Sequence, residues 1–230
     1  MLVKTVIDNI LTLTLNRPER RNALNQEVRD GLLAVLNESK SSEYHALIIT
    51  SSGTAFCAGA DTGENITAQA QMVMDQYVDI ISTIRSSHLI TIAAVNGVAA
   101  GIGCALVTAC DMAFMVPEAK LNLHFNRLGL IADGGLHWDL VRALGYKRAF
   151  ALLTEGGELS SQECYQSGLI NALVPAEDLL SYALNKARNI AADPVQAQLT
   201  KHCLKHAQTH SPEESLHLEA RLQMQAFFRQ

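Results

Sequence analysis

Apolar residues fall into short stretches along the first half of the chain, each with a definite period. Val3–Ile7 and Leu11–Leu15 are rich in β-branched and apolar residues and are separated by Asp8-Asn9, the pattern of two strands joined by a turn. From Gln26 to Glu38 the positions Val28, Leu32, Val35 and Leu36 fall on one side of a helix. Ala46–Thr50 predicts a short buried strand, ended by Ser-Ser-Gly. A second helical pattern runs from Ile66 to Ile84, with Met72, Tyr77, Ile80, Ile81 and Ile84 as its apolar positions. Ile90–Val95 predicts a strand and Asn96-Gly97 a turn; a glycine-bearing stretch then opens a helix through Ala109, and Met112–Val116 returns as a strand.

Strands alternating with helices predict an α/β architecture with parallel pairings. Beyond about residue 136 the pattern becomes mostly helical. Ser160, with Glu163 three residues on, is a capping box that opens a short helix. Leu169–Val174 predicts a brief strand, and Ala176–Ala191, Val195–Gln208 and Pro212–Phe228 predict three helices. The sequence has no evident internal repeat, low-complexity tract or long linker.

Composition narrows the class. The 230 residues are 48% hydrophobic and 18% charged, a globular balance with enough apolar material for a core. The net charge of −5 argues against a broad nucleic-acid surface, which needs a basic face. An anionic small ligand would need locally gathered cations instead. The five cysteines, Cys57, Cys104, Cys110, Cys164 and Cys203, include no CxxC pair and no zinc-type spacing, so no metal site is expected. The N-terminal MLVKTVIDN lacks the long apolar core of a signal peptide, and no run reaches the roughly 18 apolar residues of a spanning helix. The expectation is a soluble, reduced, cytoplasmic protein with no membrane partner.

The candidate chemistry begins at VNGVAAGIGCAL, Val95 to Leu106. Gly97, Gly101 and Gly103 have GxxxGxG spacing, which is not the GxGxxG of a dinucleotide site. Gly103 is followed by Cys-Ala, not by the Lys-Ser/Thr of a P-loop, and no cation follows the glycines. The stretch therefore suits a brief or delocalised negative charge better than a phosphate. SSGTAFCAGADTG, Ser51 to Gly63, also follows a strand and also carries small residues. Two such loops can bring two backbone N–H groups together, the arrangement of an oxyanion hole.

With these two loops, the chain resembles the crotonase superfamily, the enoyl-CoA hydratase/isomerase family. The matching pieces are LNRPERRNALN (15–25), AFCAGAD (55–61), AAVNGVAAGIGCAL (93–106), ACDMAF (109–114), LGLIADGG (128–135) and GLINALVP (168–175), in family order over nearly the whole chain. The resemblance implies an α/β fold, a crotonase-like spiral of ββα units over 1–190, with a C-terminal helical trimerisation region over 191–230. It implies a homotrimer or a dimer of trimers. It implies an acyl-CoA thioester as ligand, with no cofactor beyond the CoA moiety.

Carried over by position, the oxyanion donors are the backbone N–H groups of Ala60 and Ile102. Ile102 stands in the middle of what is commonly Gly-Gly-Gly, so its side chain is expected to narrow the pocket. Arg17, Arg20 and Arg21 supply local cations, with Arg20 near the CoA phosphates and Ala23 and Ala58 beside the adenine and pantetheine. Asp61 and Thr62 complete the implied CoA-binding set. The resemblance also implies a further short helix after the last one, which a chain ending at Gln230 does not include. The expectation is a CoA site that is more open, or covered by a neighbouring subunit.

The two glutamates that hydratases of this family use would fall at Ala105 and Phe125, so both are absent. Ordinary two-glutamate hydration is not expected. GLIADGG resembles the family's GLxPDxG pattern, with Ala132 for proline, and aligns Asp133 with an aspartate that is a base in some isomerases. Asp133 either takes that role or caps the helix that Gly134-Gly135 begins. His137, one helical turn on, and His124 are secondary candidates. Glu64 is read as an exposed residue of a polar, mobile segment, Asp61–Asn65. The reading favours enoyl-CoA double-bond isomerisation with Asp133 as base. Its alternatives are hydration or decarboxylation with atypical residues, and a non-catalytic acyl-CoA-binding protein.

Overall fold

The computed structural model describes residues 1–40, 43–65 and 67–228. β1 (Leu2–Ile7) and β2 (Ile10–Leu15) pair antiparallel through Asp8 and Asn9, whose φ values of 54° and 59° are those of a two-residue hairpin turn. α1 (Gln26–Ser39) follows, and Asn25 caps it by accepting from Val28 N.

The chain then repeats one itinerary three times. β3 (Ala46–Ser51), β4 (Ala55–Cys57) and α2 (Ala70–Ser86) make the first unit. β5 (Ile90–Val95), β6 (Val98–Ala100) and α3 (Ile102–Ala109) make the second. β7 (Met112–Met115), β8 (Lys120–Asn122) and α4 (Leu136–Leu144) make the third. α5 (Tyr146–Glu155), β9 (Glu158–Ser160), α6 (Ser161–Gln166) and β10 (Ala172–Leu173) come next. α7 (Leu179–Ala191), α8 (Pro194–Ala207) and α9 (Pro212–Phe228) complete the chain.

The first strands of the units join a six-stranded sheet in the order β1-β2-β3-β5-β7-β10, parallel from β2 onwards. The second strands form another sheet, β4-β6-β8-β9, in which β4, β6 and β8 are parallel and β9 antiparallel. This is the expected spiral of ββα units, an α/β fold with a helical C-terminal region. The repeat is structural and leaves no mark in the sequence, because each unit is held by pairing to the next and not by identical residues.

β3 and β5 are buried along their whole length, as parallel strands covered on both faces must be, so they are mostly apolar, broken only by Thr50-Ser51 and Thr91. α2 buries Val73, Tyr77, Ile80, Ile81 and Ile84, one helical stripe. α7 packs across β2, β3, β5 and β7.

Several expectations shift. The whole second sheet was missed, since strands of three residues have no measurable period. The strand expected over Leu169–Val174 is only Ala172–Leu173. The helix expected from Ile66 begins at Ala70 after a 3₁₀ turn at Thr67–Gln69, and Ile66 itself lies outside the described residues. The capping box forms as read, with Glu163 N donating to Ser160 Oγ at 3.2 Å and Ser160 N to Glu163 Oε2 at 3.0 Å. Among the described residues no helix is long and apolar enough to cross a membrane, and the five cysteines are free thiols.

Candidate active site

The two glycine-bearing loops meet at the ends of adjacent strands. Gly59 follows β4 and Gly101 follows β6, and β4 and β6 pair. Gly59 has a φ of 90°, and a Cβ there would lie 2.9 Å from Ala100 O and 3.6 Å from Gly101 Cα. Only glycine permits both that backbone and that approach.

Ala60 bridges to Leu24 in parallel sense: Leu24 N donates to Gly59 O at 2.8 Å and Asp61 N to Leu24 O at 3.4 Å. Such a bridge uses the flanking residues, so the N–H of Ala60 points away from Leu24. Ile102 opens α3, and its N–H is one of the donors without an intrahelical acceptor. Its side chain is buried, with Cδ1 2.8 Å from where a Cβ on Gly134 would sit.

Gly134 carries Asp133 into the same neighbourhood. The Cβ position of Gly134 also lies 2.4 Å from Ala105 Cβ, so the Ala105 methyl packs on that backbone and a longer side chain would meet it. Phe125 is buried and sets Cε1 4.0 Å from the Cβ position of Gly101. Both positions implied for glutamates are thus apolar and enclosed.

Asp133 is not a helix cap. α4 starts at Leu136, its N-cap is Gly135, and no side chain caps it. Asp133 Oδ1 is buried and has no hydrogen-bond partner among the described residues. Burial pushes the carboxyl up to about 6, against smaller downward pulls from its own backbone and from His137. His137 is exposed and His124 half-buried.

The arginine-rich turn divides in two. Arg17, expected among the free cations, is buried: its Nη1 donates to Asp61 Oδ2 at 2.9 Å and to Ala23 O at 2.7 Å. Gly63 N holds the other Asp61 oxygen at 2.9 Å and is the main cause that lowers its pKa. Arg20, Arg21 and Thr62 are exposed. Ala58 is exposed and donates its N–H to Arg21 O at 2.9 Å, so the turn lies against the first loop beside the buried Ala23.

Glu64 is not a loose loop residue. Its Oε2 accepts from Arg29 Nη1 at 2.8 Å and its Oε1 from Gln26 N at 2.6 Å, which ties the first loop to the start of α1. Arg29 and Tyr77 were missed as polar groups of this region. Tyr77 was counted only as an apolar position of its helix, and a lone arginine on α1 gave no signal. Among the described residues no cluster of three metal-ligating side chains occurs. A groove of about 1260 Å³ runs elsewhere, between α2, α4 and α8, and holds two ion pairs, Arg85–Asp139 and Lys201–Asp111, each at 2.5 Å.

Spiral and loops together define the crotonase fold. The sequence profile of the enoyl-CoA hydratase/isomerase family matches residues 6–230, and the chain belongs to that family. It is 33% identical over 222 residues to a probable enoyl-CoA hydratase of Rhodobacter capsulatus, covering 95% of this chain and 86% of the relative. It is 32% identical to the 1,2-epoxyphenylacetyl-CoA isomerase of Escherichia coli, covering 95% and 87%. The crystal structure of an enoyl-CoA hydratase from Polaromonas sp. JS666 superimposes with a TM-score of 0.90 at 32% identity, covering 97% of this chain and 90% of that one.

Proposed function

We propose that the protein is an acyl-CoA thioester enzyme that moves the double bond of an enoyl-CoA, with Asp133 as base. The observation that carries this reading is the buried Asp133 carboxyl with an unpartnered oxygen, next to Ile102 at the start of α3. Ionised Asp133 takes a proton from C2 of a 3-enoyl thioester, and the electron pair delocalises onto the thioester oxygen. The N–H groups of Ala60 and Ile102 hold that oxyanion; losing one such donor typically costs about 2.7–4 kcal/mol. Asp133 returns the proton at C4, so the double bond shifts and nothing is added or lost. A base near pH 6 suits this transfer better than a solvated carboxylate. The relatives' names include both hydratases and an isomerase. The enclosed apolar Ala105 and Phe125 favour the isomerase.

Arg20, Ala23, Ala58 and Thr62 line the proposed CoA surface. Asp61, engaged by Arg17, serves it as a positioning residue. No cofactor beyond the CoA moiety is required, and the working form is a homotrimer or a dimer of trimers.

The test is mass spectrometry of a 3-enoyl-CoA and a 2-enoyl-CoA incubated with the protein in D₂O, beside Asp133→Asn. The expected result is deuterium incorporation with a shifted double bond and no added water, lost in the variant. Added water at a useful rate overturns the isomerase in favour of hydration. Binding without turnover brings forward decarboxylation, tried next with a malonyl-type thioester, or a binding protein.

A further inference from the structure

Of the buried polar atoms that have no hydrogen-bond partner among the described residues, three belong to residues on α2 or beside residues packed against it: Arg29 Nη2, Tyr77 Oη and Asp133 Oδ1. Buried polar groups are ordinarily paired, so a group of three orphans needs a reason. α2 is the element that gathers them. Gln76 Oε1 accepts from Arg29 Nε at 2.7 Å, which sets Arg29 against α2 at that level. Tyr77 is the next residue and is 3% exposed. One turn further along the same buried stripe, Ile81 Cγ1 lies 3.6 Å from the Cβ position of Gly134, the neighbour of Asp133. The phenol senses both ends: burial mainly raises its pKa, Arg29 lowers it, and Asp133 raises it further.

The chemistry of the three atoms selects a ligand. Arg29 already neutralises Glu64 through Nη1, so Nη2 offers a donor without a spare charge. Asp133 repels an anion when ionised and accepts a hydrogen bond. The phenol both donates and accepts. A neutral hydroxyl satisfies all three, whereas a carboxylate meets a like charge and a hydrocarbon leaves every orphan unpaired.

We propose that Tyr77, with Arg29 Nη2 and Asp133 Oδ1, forms a polar subsite for a hydroxyl carried on the acyl chain, beyond the carbons that react. Tyr77 is then a specificity-determining residue, and the preferred ligand is an oxygenated acyl thioester. A hydroxyl held on one oxygen of Asp133 leaves the other for proton transfer. The inference rests on the acyl-CoA reading above.

The experiment is titration calorimetry with hexanoyl-CoA and its 5- and 6-hydroxy derivatives, none of which can isomerise. At least one hydroxylated thioester is expected to bind about tenfold more tightly than hexanoyl-CoA, since a site built around a hydroxyl discriminates against its absence. In Tyr77→Phe that ratio falls to within about twofold while the hexanoyl-CoA affinity holds, because only the hydroxyl contact is removed. The variant is expected to melt no lower than the parent, because the deleted hydroxyl has no protein partner. No preference for any hydroxylated thioester overturns the proposal, as does a preference that survives Tyr77→Phe or a variant that unfolds. If hexanoyl-CoA and all its derivatives fail to bind, the acyl-CoA reading itself is overturned.

Discussion

Burial sets two opposed pH dependences at Asp133. Its carboxyl titrates at about 6 in the folded protein against 3.8 for the free group, so the native state holds that proton more tightly than the unfolded chain. The stabilisation from protonation is present below pH 4 and is lost as pH rises through 6, a loss on the order of 3 kcal/mol at neutral pH. Asp133→Asn keeps the shape and removes the charge. It is expected to raise the melting temperature at about pH 7.5, with the gain vanishing below about pH 4. A variant that melts lower than the parent at neutral pH, by scanning calorimetry, contradicts a desolvated carboxylate. The proposed isomerisation is expected to run the other way: its kcat/KM falls about tenfold per pH unit below about pH 6, as the base becomes protonated. A limb near pH 4 instead assigns the reaction to a solvated carboxylate. Asp133 was legible as a candidate from its motif, but the choice between base and helix cap was not. The cap depends on where the helix starts, and α4 starts at Leu136 with Gly135 as its N-cap, which leaves Asp133 outside the cap.

The loops that form the site are held by elements with little sequence signal. Asn22 is 2% exposed and has a φ of 57°. Its Oδ1 accepts from Arg17 N at 2.8 Å, and its Nδ2 donates to Ser52 O and Ala55 O, each at 2.8 Å. One side chain thus ties the arginine turn to the β3–β4 connection, and so to the strand that leads to Gly59 and Ala60. Asn22→Ala removes all three hydrogen bonds, leaving Arg17 N and Ser52 O without that partner while Ala55 O keeps Ser51 Oγ, and is expected to destabilise by about 2–3 kcal/mol. Urea unfolding measures this, and a loss under about 1 kcal/mol means the turn is held by other contacts. The same contrast appears among the strands. β3 and β5 are legible almost to the residue because four consecutive apolar residues, Ala46–Ile49 and Ile92–Val95, leave few alternatives. β4, β6 and β8 were invisible because three residues acquire strand geometry only from their partners.

At the scale of the molecule, the spiral returns the chain to the same edge three times, so residues far apart in sequence converge there. Ala60, Ile102 and Asp133 come from three successive turns. The outer surface carries exposed apolar side chains, including Leu128, Leu130, Ile131, Tyr146, Phe150 and Phe227, with Ile131 81% exposed. Leu128, Leu130 and Ile131 lie within four residues of one another, which makes that loop the candidate contact of the proposed trimer. Sedimentation is expected to give a mass three or six times 25.0 kDa. Leu130→Asp with Ile131→Asp is expected to lower that mass. A parent that sediments as a monomer removes the proposed trimer.

The sequence by itself determined the family, the alternation of strand and helix, and the loops where the site would lie. Periodic apolar runs and short glycine motifs are local, and local patterns survive without a partner. Only the tertiary structure decided what each polar side chain meets. Arg17 became one half of a buried ion pair, Glu64 an anchor for α1, Tyr77 a polar group in an apolar stripe, and Asp133 an uncapped carboxyl. Pairing, burial and the dielectric around a charge depend on residues brought from elsewhere in the chain, and no window along the sequence contains them.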